Sequence, residues 1–273
     1  MVAELDGQPT AALGNSMAAP SRIRRRQTLR SVCPTRACTR PARARTWAPP
    51  LSAHVGPTEL SALSLTAAMD RQQHWEGIHG IKAPADVSWY RPHLERSLAF
   101  IDGAGLARDA RIIDVGGGAS TFVDDLLDRG YDDVTVLDIS AAAIDRAQER
   151  LGARANAVTW VVGDITMAEL PKHRYDFWHD RAVFHFLTDP EARLRYIAAV
   201  RRSLKIDGHI VVATFGPSGP EKCSGLAVVR YSPDGLHEQF GDHFGKVGSC
   251  TEIHTTPWGA EQEFMYCYCR MRN

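Results

Sequence analysis

Arg111-Ile112-Ile113-Asp114-Val115-Gly116-Gly117-Gly118 decides the reading of this chain. A short apolar run that closes on an acid and three glycines predicts a buried strand over Arg111–Val115 and a turn over 116–118. On its C-terminal side, residues 121–129 predict a helix with Phe122, Val123, Leu126 and Leu127 inward. Residues 133–137 predict a second strand, and Ser140 is placed to cap a helix running to Leu151. Strands follow at 157–162 and 175–178. Asp189-Pro190 then opens a helix to about Leu204 as cap and first-turn proline, before a fifth strand at 209–214. Strands alternating with helices predict an α/β fold: a doubly wound, mostly parallel sheet with right-handed crossovers.

Outside this unit the pattern changes. Residues 84–104 predict a leading helix with Leu94, Leu98 and Ile101 on one face after Pro92. After a Gly/Pro/Ser-rich connection at 216–225 and a short helix near 233–240, runs at 246–254 and 262–270 flank Thr256-Pro257-Trp258-Gly259. They predict a C-terminal antiparallel hairpin at the edge of the sheet.

The chain has 273 residues, with 32 basic and 32 acidic side chains and a 44% apolar share, enough for a sizeable core. The neutral total hides an asymmetry. Residues 1–68 hold nine arginines, no lysine and three acids, and show no lasting period of 3.6 or 2. This composition predicts a disordered arm, because too little apolar surface is available to offset ordering entropy. A transit segment and a start at Met69, where patterning begins, are the competing accounts. A twin-arginine signal at Arg25-Arg26 lacks its apolar stretch. The remaining residues, 69–273, form a mildly acidic body, which argues against a phosphate-gripping surface and hence against nucleic acid as partner. No run of about 18 apolar residues predicts a membrane span. Six cysteines without a ligand-like spacing predict no metal and fit a reducing, cytoplasmic setting.

In a doubly wound sheet, ligands bind beyond the carboxyl ends of the strands. Four acids fall there: Asp114 after the first strand, Asp138 after the second, Asp164 after the third and Asp180 after the fourth. Asp138 is placed to accept from ribose hydroxyls, and Asp164 from an adenine amino group. A dinucleotide fingerprint fits Gly116 and Gly118 but finds Thr121 at its third glycine, and no G-K-[ST] follows for a phosphate loop.

These residues resemble class I S-adenosylmethionine-dependent methyltransferases. Asp114-Val115-Gly116-Gly117-Gly118 is similar to the family's first motif, Asp138 to its ribose-binding acid, and Gly163-Asp164-Ile165 to its adenine-side element. Leu204-Lys205-Ile206-Asp207-Gly208 resembles its L-K-P-G-G turn, with Ile206 and Asp207 as departures, and Ser120 stands where a third glycine is frequent. The resemblance covers roughly residues 84–270. It implies S-adenosyl-L-methionine as cofactor, held by Asp114 and Gly116 at the methionine end, Asp138 at the ribose, and Asp164 and Ile165 at the adenine. Gly118 and Ile139 complete this set. Trp89-Tyr90 resembles a W-Y element that some relatives place near the cofactor; the competing reading is aromatic core.

Methyl transfer is an in-line displacement, so the protein contributes chiefly by positioning, and a base is needed where the acceptor carries a proton to lose. Trp178-His179-Asp180-Arg181-Ala182-Val183-Phe184-His185 lies where the family lines its acceptor site. Asp180-Arg181 resembles an element of thiopurine-type and some protein-lysine methyltransferases. Asp180, His179, His185 and His254 are the catalytic candidates, with Gln262 beside His254. Each has a competing structural reading, as ion pair, packing group or strand-end hydrogen bond. Cys223 reads as cavity lining or an inert thiol. The expected function is methyl transfer to a small molecule. The alternatives are protein-lysine N-methylation, a cofactor-binding module without transfer, and, last, a nicotinamide dehydrogenase.

Overall fold

The computed structural model describes residues 62–81 and 83–273. Residues 1–61, most of the expected disordered arm, lie outside the described residues. The expected boundary at 68/69 falls inside a helix, α1, Ala62–Ile81. Its sequence is rich in Ala, Gln and other good helix formers.

The leading helix is shorter than expected. A single 3-10 turn spans Pro84–Asp86, and α2 runs only over Glu95–Ala104. Pro92 is the physical reason: it lacks a backbone N–H and disfavours a helical Arg91, so the stretch before it stays irregular. Gly105 ends α2 in the left-handed region at φ 63°, where a side chain would be strained.

The central elements follow the expected order: β1 (Arg111–Val115), α3 (Phe122–Asp128), β2 (Asp133–Asp138), α4 (Ala141–Leu151), β3 (Val158–Val162), β4 (Tyr175–Arg181), α5 (Pro190–Ser203) and β5 (Leu204–Phe215). Both expected caps form: Ser140 accepts from the Ala143 N–H and Asp189 from the Glu191 N–H. β5 begins five residues before the expected start at 209 because Leu204 already pairs with Tyr175. The register then jumps to Phe177 opposite His209, with Asp207 at φ 63° in the intervening bulge. A two-residue ladder, β6 (Lys222–Cys223) with β7 (Leu226–Ala227), was not anticipated; α6 (Pro233–Phe240) follows it.

The chain closes with β8 (Phe244–Thr255) and β9 (Glu261–Met271), an antiparallel pair. β9 inserts between β5 and β8, giving the order β3-β2-β1-β4-β5-β9-β8, with β3 to β5 parallel. α2 and α3 cover one face, burying Leu98, Ile101, Phe122 and Leu126 against Ile112, Phe177 and Val211. α5 and α6 cover the other, with Tyr196, Val200, Leu236 and Phe240 against Ile113, Trp178 and Ile210. The strand order reverses between β1 and β4, which opens a crevice at their carboxyl ends. Among the described residues no helix is long and apolar enough to cross a membrane.

Candidate functional site

A cavity lies in that crevice. Asp114, Gly116, Asp138, Ile139, Asp164, Ile165, Trp89 and Tyr90 all line it, so the structure gathers the expected cofactor set with one exception. The exception is Gly118, which packs behind the wall: its N–H donates to Asp138 Oδ2 at 3.0 Å. A Cβ on Gly118 would sit 2.9 Å from that oxygen and 2.7 Å from the Ala143 Cβ, so glycine is what lets the loop close on the carboxylate. Gly116 turns the chain at φ 72°, and a Cβ there would run into Val183.

Each acid is set by its own partners. Asp114 is buried, and its Oδ1 lies 2.7 Å from His179 Nδ1, while Oδ2 has no partner. Asp138 accepts from Gly118 N–H and from Ser140 N–H at 2.9 Å. Burial outweighs those two bonds and raises its pKa to about 6. Asp164 Oδ1 accepts from the Thr166 N–H and hydroxyl at 2.8 and 2.7 Å, and Oδ2 from Arg71 at 2.6 Å.

Arg71 belongs to α1, whose role the sequence did not reveal. Trp75 and His79 of the same helix also line the cavity. Trp75 meets Trp89 edge-on (5.8 Å between ring centroids) and Phe186 likewise (5.0 Å), and His79 stacks on Trp75 at 5.9 Å. Burial and the nearby Arg146 charge push His79 down to about 4, so it is a neutral imidazole near pH 7. Glu76 anchors the helix by accepting from Ala141 N–H (2.6 Å), Ala142 N–H (3.1 Å) and the Ser140 hydroxyl (3.0 Å), at the N-terminus of α4. The available signal was the aromatic pair Trp75 and His79 at i, i+4 spacing, which share a helix face.

The four catalytic candidates fare differently. His179 lines the cavity, but both ring nitrogens are engaged, Nδ1 with Asp114 and Nε2 with the Ser97 hydroxyl at 2.8 Å. Asp180 is fully buried outside the cavity lining, accepting from the Tyr196 hydroxyl at 2.7 Å and the Val183 and Phe184 N–H groups at 2.8 and 3.1 Å. Burial raises it to about 6. His185 is buried as well. Its Nδ1 accepts from Phe215 N–H at 3.2 Å, and burial with the Arg181 charge lowers it to about 3. His254 receives Arg91 Nε–H at Nδ1 (3.1 Å) and donates from Nε2 to the Ser88 carbonyl (2.6 Å). His185, His254 and Gln262 therefore do not reach the cavity. His254 instead ties down the segment that carries Trp89 and Tyr90. Asp180, with its hydrogen bonds, shapes the turn in which Ala182 takes φ 74° and Arg181, Ala182 and Val183 enter the cavity wall. Cys223 lines the cavity, as expected. Among the described residues no cluster of three or more His, Cys, Asp or Glu is arranged to hold a metal.

Comparison with known proteins agrees with this geometry. Residues 112–208 match the family described as a methyltransferase domain. The chain is 27% identical over 195 residues to the eEF1A lysine and N-terminal methyltransferase of Bos taurus, which covers 69% of this chain and 25% of that protein. The Mus musculus counterpart is 27% identical over 141 residues, covering 50% of this chain and 20% of that protein. This chain thus spans about a quarter of the length of the curated relatives it matches. Among solved structures, the 1,6-didemethyltoxoflavin-N1-methyltransferase of Burkholderia thailandensis superposes with a TM-score of 0.54 at 20% identity, covering 84% of this chain and 94% of that one. The N-methyltransferase NodS of Bradyrhizobium japonicum gives 0.56 at 16% identity, covering 76% and 99%. The strand order and the acid-lined crevice are those of the fold shared with these structures, and residues 112–208 match a methyltransferase domain.

Proposed function

We propose that the chain binds S-adenosylmethionine in this cavity and transfers its methyl group to a small-molecule acceptor. One observation carries the reading: a single cavity joins a wall of three strand-end acids to an aromatic wall of Trp75, Trp89, Tyr90 and Phe186. The residues fit the cofactor. Asp138, fixed by two backbone N–H donors, keeps lone pairs for ribose hydroxyls, and Asp164 stands one strand further along for the adenine edge. The unpartnered Asp114 Oδ2 fits a need for an acceptor at the methionine end. When bound, the cofactor supplies an electrophilic methyl carbon on a sulfonium. The protein's own part is to hold the acceptor in line, to exclude water with α1 and the aromatic wall, and to keep Asp114 and His179 in fixed hydrogen bonds.

The similarity to the eEF1A lysine and N-terminal methyltransferases favours a second reading, methylation of a protein amine in the cytoplasm. Calorimetric titration of the full chain with S-adenosylmethionine and S-adenosylhomocysteine tests the cofactor; micromolar affinity is expected, and absence of binding to both overturns the proposal. Incubation with methyl-labelled cofactor and a cell extract then separates the readings, because label in the small-molecule fraction supports the first and label in protein the second.

A further inference from the structure

The charges around the cavity are not evenly balanced. Arg71 is paired with Asp164, and Arg91 is paired with Glu95 at 3.2 Å and Glu252 at 3.4 Å. Asp114 Oδ1 meets His179, and Asp138 accepts from two backbone N–H groups. Arg181 differs. Among the described residues no carboxylate comes within 4.0 Å of its guanidinium. Its Nε donates to the Tyr266 hydroxyl at 3.2 Å and its Nη1 to the Trp89 carbonyl at 3.1 Å, while the buried Nη2 has no partner. The Phe264 ring lies 4.2 Å beneath it and holds the plane in place. An unpaired cation with an unsatisfied donor is costly in a partly buried wall, and the cost is recovered when a ligand supplies an anion.

The imidazoles point the same way. His179 has no free nitrogen, His185 and His254 do not line the cavity, and His79 is too weak a base to remove a proton near neutrality. Among the described residues no histidine lining the cavity is thus free to take a proton from the nucleophile during transfer.

We propose that the acceptor is a planar aromatic molecule that reacts as an anion, a phenolate, thiolate or deprotonated ring nitrogen, with Arg181 as the residue that holds its charge. This rests on the methyl-transfer reading above. The acceptor leaves its proton in solvent before the step. Its lone pair then forms the bond to the methyl carbon, and the pair of the breaking carbon–sulfur bond returns to sulfur, so no base acts in the step. Trp75, Trp89 and Phe186 provide flat faces for such a ring. Facing Arg181 are Tyr266, Glu252 beyond that hydroxyl at 2.8 Å, and the neutral His185 and His254. Tyr266 is pushed up to about 12 by burial, so it contributes no competing charge.

The test uses 4-nitrophenol, whose phenolate absorbs in the visible, on the full chain saturated with S-adenosylhomocysteine. The bound probe is expected to ionise at lower pH than the free probe and to bind roughly tenfold or more tighter as phenolate than as phenol. Arg181→Met should remove that preference with S-adenosylhomocysteine affinity within about twofold of the parent, and Arg181→Lys should restore part of it. Equal or tighter binding of the neutral phenol, no binding of the probe, or stronger competition by benzylammonium overturns the inference. A loss of S-adenosylhomocysteine affinity in Arg181→Met also overturns it, by assigning the guanidinium to the cofactor's carboxylate. If the parent chain binds no S-adenosylhomocysteine, the methyl-transfer reading itself falls, which is a distinguishable result.

Discussion

Arg71 and Asp164, 93 residues apart, meet at 2.6 Å and join α1 to the loop after β3. The contact places a helix from outside the central α/β unit beside the part of the cavity lined by Asp138 and Asp164. It uses an acid that remains able to accept one more donor. The pair is partly exposed, so its worth to stability is small, about 1 kcal/mol or less. Its effect is on access. Arg71→Ala should raise amide hydrogen exchange over 68–81 and speed dissociation of S-adenosylhomocysteine, with the melting temperature nearly unchanged. Unaltered exchange would show that Trp75 and Glu76 alone hold α1.

Glu76 is the stronger anchor, because it satisfies donors at the N-terminus of α4 that have no helical partner. Although burial opposes it, the Ala142 and Ala141 N–H groups and the Ser140 hydroxyl hold this carboxyl below its usual value. Its contribution is therefore present above the unfolded pKa and is lost as pH falls through the lower folded value. Glu76→Ala should cost about 1 kcal/mol at pH 7 in urea denaturation, and less below pH 4.

Asp138→Ala should weaken S-adenosylmethionine binding by about 1–3 kcal/mol through lost ribose hydrogen bonds. Since burial raises Asp138 to about 6, the parent should also lose affinity as pH falls through that value and the carboxylate becomes protonated. Calorimetry from pH 5 to 8 checks both, and the variant should show a flatter profile. An undiminished affinity in Asp138→Ala would remove this carboxylate from the site.

Asp180 is raised by burial, so the protonated form is favoured in the folded state. The stability associated with that proton is present below the unfolded pKa and is lost as pH rises to about 6. Asp180→Asn keeps a neutral group there. Relative to the parent, it should gain stability between pH 4 and 7, by up to about 3 kcal/mol, measured as the difference of urea midpoints. A difference independent of pH would show that the ionised carboxylate is fully compensated by Tyr196 and the two N–H donors.

His179→Phe removes the donor to Asp114 and the partner of Ser97 in a fully buried position. A loss of about 1–3 kcal/mol is expected, read as a lower melting temperature, because Asp114 Oδ1 is left unsatisfied. An unchanged melting temperature would mean that water enters and replaces the imidazole.

The five parallel strands were legible because their information is local. Apolar runs of four to six residues between turn-formers have few other readings, and caps such as Ser140 and Asp189 sit beside the helices they start. The acids at strand ends could be placed for the same reason: the end of a strand in this topology is already a position in the site. Two local readings still missed. The apolar spacing extends a helix across Pro92, which the proline forbids, and the bulge at Asp207 hides the first part of β5.

The catalytic histidines failed for a different reason. Residue type and position along β4 or β8 say where a side chain starts, while its partners decide whether a nitrogen remains free. His179 is closed by Ser97, 82 residues away, and His254 by Arg91 and Ser88, more than 160 residues away. The sequence by itself determined the sheet, its order of acids and the glycine turn, since these follow from short-range periodicity, backbone freedom and strand-end topology. The tertiary structure alone decided that α1 walls the cavity, that His179, His185 and His254 are held in hydrogen bonds, and that among the described residues no carboxylate pairs with Arg181. Burial and hydrogen-bond satisfaction are properties of contacts between distant segments, and no local pattern carries them.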